Sequence, residues 1–289
     1  MKFLKYIWIL PKKLNLYIFK PPMILLKSYI KYFFHKSLNF KYLLFDLIYF
    51  KKQYFVDNKK NKFYGFYNIH IPKSYGTYFN LNFIEKISNN NAEKIYRKIA
   101  TKLGNTIYIN NNKIIGWNLF QINKNNFTYA FSHKPFFELN YSEKIFYFTT
   151  LRDPIKRIKS LYTESLSLYK KNILHPGYED INKIYKINTS FSFFIRNIKY
   201  EHSNSISYMF SKNKSQDEAI KNLKRINLIL TDKEFDNGLK FFNENFTFFK
   251  FENIKKRESE KIFLEVNDED MKYLKFITKN EYLIYNHFI

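Results

Sequence analysis

Phe63–Asn80 reads FYGFYNIHIPKSYGTYFN. The run from Phe63 to Ile71 is aromatic and β-prone, which predicts a buried strand. Pro72 ends it, because proline has no N–H for a sheet ladder. After Lys73-Ser74-Tyr75-Gly76-Thr77 the pattern turns helical, with Phe79, Phe83, Ile84 and Ile87 on one face. A strand, a short loop carrying Lys, Gly and hydroxyls, and then a helix make a physical recipe for holding phosphate. Free N–H groups and the macrodipole at a helix start favour an anion. Lys73 adds a point charge, and Ser74 and Thr77 add hydroxyl donors. The GxxxxGK[ST] pattern of a Walker A loop is absent.

Working outward, a second stretch has the same form. Lys144–Thr150 reads as a strand, and Thr149–Tyr162 continues as TTLRDPIKRIKSLY. Asp153 is placed to cap the next helix and Pro154 falls in its first turn. Arg152, at the strand's end, offers a planar fork to a phosphate or forms a local ion pair with Asp153. Arg157, Ser160 and Glu164 share one helix face at i, i+3 and i+7. Arg157 reads either as a second phosphate contact or as a solvated charge.

Together these stretches resemble the sulfotransferases that use 3′-phosphoadenosine 5′-phosphosulfate (PAPS). His70–Thr77, HIPKSYGT, resembles the family's HIPKTGGTS loop, which binds the 5′-phosphosulfate. Leu151–Tyr162 resembles its LRDPxxRxxSxY segment, which holds the 3′-phosphate, with Arg152 and Ser160 at the matching spacing. The resemblance runs from about Phe63 to Ile289. It implies that Lys73, Ser74, Tyr75, Gly76, Thr77, Tyr78, Arg152 and Ser160 bind PAPS. Tyr75 and Tyr78 stand where the family has Gly and Ser, and a Tyr75 with φ > 0 is strained. Phe131–Leu139, FSHKPFFEL, follows another predicted strand, where open α/β sheets place their ligand sites. It resembles the GHxPF segment of carbohydrate sulfotransferases, which implies that His133 is the base. The alternative is a histidine bonded to a loop carbonyl. The implied reaction is in-line sulfuryl transfer to a carbohydrate hydroxyl, with Lys73 and His133 catalytic. No metal is expected, since Lys73 and the loop supply positive charge.

Strands alternate with helices after Phe63, so the expected fold is α/β, with a mostly parallel sheet and helices on both faces. The resemblance makes it P-loop-like. Residues 1–62 are expected to form a basic, aromatic N-terminal helical appendage, and 63–289 the sulfotransferase domain. In the appendage Lys2, Lys5, Lys12 and Lys13 surround Phe3, Leu4, Ile7, Trp8 and Ile9. That pattern suits a helix lying on an anionic membrane surface or one packed on the core. Its apolar runs are too short to span a bilayer. With no Cys, disulfides and thiolate metal sites are excluded, which suits a reducing cytoplasm. The net charge of +24 favours anionic partners, but Lys is over-used together with Asn, Ile, Phe and Tyr, a mark of codon bias. No nucleic-acid-binding motif accompanies it. Of the other segments, Asn172–Ser190 reads as a loop region, Phe191–Tyr200 as a helix and Phe246–Phe251 as extended. Asn267 or Asp268 caps a final helix through about Asn286. His70 is expected to pack inside the sheet. Two other readings stay open: a nucleotide-dependent kinase, and a polyanion- or membrane-binding protein with a vestigial loop.

Overall fold

In the computed structural model the described residues are 61–89, 91–101, 105–173, 175–246 and 264–289, with 42, 45–46, 50, 55–57 and 251. The expectations for the N-terminal appendage and for 247–250 lie mostly outside them. The chain divides into two units, Met1–Ile48 and Tyr49–Ile289. Among the described residues no helix is long and apolar enough to cross a membrane.

The strands are β1 (Phe55–Val56), β2 (Lys62–Phe63), β3 (Gly65–Ile69), β4 (Thr106–Ile109), β5 (Asn112–Gly116), β6 (Tyr129–Ser132), β7 (Ile145–Leu151) and β8 (Leu228–Thr231). The first two form a small antiparallel pair. The other six form one sheet in the order β4-β5-β6-β3-β7-β8, parallel except at β4–β5. The helices are α1 (Gly76–Ser88), α2 (Ala92–Thr101), α3 (Leu119–Ile122), α4 (Pro154–Lys170), α5 (Glu179–Ile187), α6 (Phe191–Asn197), α7 (Tyr200–Ser203), α8 (Ser205–Phe210), α9 (Gln216–Leu223), α10 (Phe235–Asn245), α11 (Asp268–Ile277) and α12 (Lys279–Asn286).

Both faces of the sheet are covered, which is why β3 and β7 are buried at every position and mostly apolar or aromatic. Period-two alternation divides them. Phe66, Phe146 and Phe148 join α1, α2 and α10 in one core. Tyr67, Ile69, Ile145, Tyr147 and Leu151 join α8, α9 and α12 in another. Phe83 of α1 stacks on Tyr129 at 4.6 Å and on Phe148 at 5.3 Å. Burying such a ring contributes about 1.5–3 kcal/mol.

Strand order decides where a ligand site lies. β3 is flanked by β6 on one side and β7 on the other, each reached by a separate connection. That is a topological switch point, and the crevice opens beyond the carboxyl ends of these strands. Ile69 pairs with both Ser132 and Thr149, so β3 and β6 end at one level and β7 runs on to Leu151.

Three expectations are corrected. Asn172–Ser190 is not simply a loop: Ile181 and Tyr185, one turn apart, bury one face of helix α5. The final helix is two helices, broken at Thr278, whose hydroxyl back-bonds to the Leu274 carbonyl at 2.6 Å. The Phe191–Tyr200 helix stops at Asn197 and restarts at Tyr200.

Candidate active site

The first loop leaves β3 at His70. Lys73 (φ 65°) and Tyr75 (φ 59°) are both left-handed, a conformation that non-glycine residues adopt at a cost. Tyr75, where the resembling family has Gly, therefore carries the strain that a positive φ implies. Its ring is held from two sides. It packs on the α1 core, and the Arg152 guanidinium lies 5.1 Å above its centroid. Gly76 opens α1 beneath the His70 ring: a Cβ there would lie 1.8 Å from His70 Cδ2. The Gly76 and Thr77 N–H groups, first in the helix, meet no acceptor among the described residues. Ser74 is fully buried, and its Oγ is unpartnered there. Tyr78 lies half-buried in the first turn of α1, its ring edge-on to Phe79.

Asn80 accepts hydrogen bonds at Oδ1 from Asn68 Nδ2 (2.9 Å) and Tyr129 Oη (2.7 Å), which turns its amide nitrogen toward His70 Nδ1. Burial, with His133 and Lys73 nearby, holds the His70 pKa well below the usual histidine range. His70 is buried, but just past the end of β3 rather than inside the sheet, and its backbone has a second role. The His133 Nδ1–H donates to the His70 carbonyl at 2.6 Å. A carbonyl only accepts, so the proton sits on Nδ1 and Nε2 keeps its lone pair. Of the two alternatives for His133, the bond to a loop carbonyl is the one present, and it orients the ring. The two imidazoles lie 4.3 Å apart. Burial lowers the His133 pKa; the bond to His70 opposes this and nearby His175 reinforces it, so the ring is neutral at pH 7.

Arg152 turns away from Asp153. Its Nη1 donates to the Lys73 carbonyl at 3.1 Å, and its Nε is buried and unpartnered among the described residues. Asp153 instead caps α4, accepting from the Lys156 N–H at 2.8 Å, and also accepts from Tyr282 Oη at 2.8 Å. Lys73 Nζ is 2.6 Å from Glu164 on α4, whose carboxylate also accepts from Tyr178 Oη at 2.6 Å. This pair puts the Ser160–Glu164 face of α4 toward the loop, with Ser160 half-buried one turn earlier. Sequence reading placed Glu164 on that face without giving it a role. His175 stacks on Tyr178 at 4.3 Å. Tyr178 and His175 carry no local signal of membership; only the packing of α5 against α4 reveals it.

Arg157 is corrected: it is not solvated but fully buried, with Nη2 donating to the Ser203 carbonyl at 2.8 Å and Nε and Nη1 unpartnered among the described residues. Burial pushes its pKa down to about 10, although Glu281 nearby favours the charged form.

The chain matches no protein-family model and no curated protein.

Away from the loop, Asp180, Glu201 and His202 bring their ligand-type atoms within 4.8 Å of one another. His202 Nε2 and Lys199 Nζ already engage Asp180, at 2.9 and 3.3 Å. The arrangement is a charge network tying α5 to α7.

Proposed function

We propose that this chain is a P-loop-like sulfotransferase that moves a sulfuryl group from PAPS to a carbohydrate hydroxyl. The observation that carries the reading is His133: its Nδ1–H is fixed on the His70 carbonyl, so a neutral Nε2 is presented beside the phosphate-type loop. The residues fit an anionic nucleotide. Buried Ser74 Oγ and Arg152 Nε lack partners among the described residues, and the Gly76 and Thr77 N–H groups are open. PAPS supplies the activated sulfuryl group. Ser74, Gly76 and Thr77 hold the 5′-phosphate; the Tyr78 N–H is given to the Tyr75 carbonyl at 3.0 Å, so this pair shapes the turn into the cradle. Arg152 and Ser160 hold the 3′-phosphate. Lys73 leaves Glu164 to neutralise charge on the bridging oxygen as its bond to sulfur breaks. The acceptor oxygen bonds to sulfur in line, and its proton passes to His133 Nε2.

The test is a thermal-shift titration with 3′,5′-adenosine bisphosphate against 5′-AMP and ATP. A ligand that binds only the folded state raises Tm. The expected result is a rise with the bisphosphate, much smaller with 5′-AMP and lost in Arg152→Ala. An equal rise with all three nucleotides, or none, overturns the reading.

A further inference from the structure

Trp117 follows β5, the neighbour of β6, so it leaves the sheet beside His133. Parallel pairing aligns Gly116 with Phe131, and the Trp117 N–H bonds to the Phe131 carbonyl at 2.9 Å. Its backbone is left-handed, φ 57°. A bulky aromatic residue holds that conformation only where its surroundings fix it. Here they do. The Phe131 ring meets the indole at 4.9 Å and 80°, and the Tyr96 ring at 5.6 Å and 70°. The indole is nevertheless half-buried rather than sealed, and its centroid lies 6.4 Å from that of His133.

A strained, braced and partly open indole beside a neutral imidazole does little for the core, which is already filled by Phe83, Tyr129 and Phe131. We infer that Trp117 is the acceptor platform: the apolar C–H face of a pyranose ring stacks on the indole, and this presents a ring hydroxyl to His133 Nε2. The inference rests on the sulfotransferase reading and adds a positioning residue to it. The ligand class is a neutral or acidic pyranoside. Aromatic side chains offer such a ring a large rigid surface at little entropic cost.

The chain has two tryptophans, Trp8 and Trp117, so Trp8→Phe leaves Trp117 as the sole indole reporter. The probe is a hexasaccharide of alternating hexuronate and N-acetylhexosamine, added with 3′,5′-adenosine bisphosphate present. The expected result is a saturable change in Trp117 emission in W8F. Calorimetry is expected to show binding about tenfold weaker in W117A than in wild type, with W117Y close to wild type and bisphosphate affinity unchanged in all three. Hexasaccharide binding that leaves Trp117 emission unmoved, or equal affinity in W117A, overturns the inference. The emission arm uses an intact Trp117, so it decides the matter even if W117A fails to fold. If the bisphosphate binds wild type and the hexasaccharide does not, the platform is wrong and the donor site stands. If neither binds, the sulfotransferase reading fails with it.

Discussion

Lys73 and Glu164 are 91 positions apart in the chain and 2.6 Å apart in space. Burial alone would raise the Glu164 pKa. The Lys73 ammonium and the bonds from Lys73 and Tyr178 outweigh it, holding the carboxyl below its usual range. A carboxyl whose folded pKa is depressed stabilises the fold above its unfolded pKa, near ~4.3, and loses that contribution as pH falls through the folded value. The Tm gap between wild type and Glu164→Gln is therefore expected to be present at pH 7 and to close below about pH 4. A gap independent of pH would mean the ion pair contributes nothing. For catalysis, Lys73→Ala is expected to abolish turnover with Tm within a few degrees of wild type; retained turnover would remove Lys73 from the mechanism. The His133 dependence has the same sign: it too is lost as pH falls. The ring's pKa lies below the ordinary histidine value near ~6.5, so under the proposed role as base kcat/KM should fall only under more acid conditions. An acid limb above pH ~6.5 would contradict the neutral-ring assignment.

At the scale of the element, the loop between β3 and α1 is determined by sterics more than by charge. Gly76→Ala puts a methyl group into the His70 ring. Overpacking of this kind costs about 1–3 kcal/mol, which urea unfolding would measure. Unchanged stability would show that His70 swings aside freely. Tyr75 is the counterpart. Glycine there relieves the left-handed strain but removes the ring under Arg152. Tyr75→Gly is thus expected to keep or slightly raise stability while weakening bisphosphate binding, and Tyr75→Phe to leave both near wild type. The strand–loop–helix order of both motifs was legible in the sequence because Pro72, Asp153 and Pro154 are local punctuation. The helical α5 was not, because His175-Pro176-Gly177 dominates the local signal while Ile181 and Tyr185 declare their face only against α4.

For the whole molecule, the chain's end closes onto the sheet through a charged core. Glu281 of α12 is fully buried and accepts from the Ser207 N–H at 2.7 Å and the Ile206 N–H at 3.0 Å, capping α8, with buried Arg157 of α4 nearby. Removing one member of such a group strands the other's charge. Glu281→Ala is expected to cost about 3–5 kcal/mol in urea unfolding. A loss below about 1 kcal/mol would mean that water or a shifted Arg157 compensates. Local residue order is enough to show that strands alternate with helices, that two loops carry Lys, Gly, hydroxyls and Arg at strand ends, and that His133 follows a strand. These are local properties of propensity, period and punctuation. Only the tertiary structure decided that β6 and β7 flank β3, which brings His133 and Arg152 to either side of the first loop. It alone placed Glu164 on Lys73, sealed Arg157 in the core and gave His133 its tautomer. Each of these depends on strand order or on partners more than forty residues away, and no local pattern encodes either.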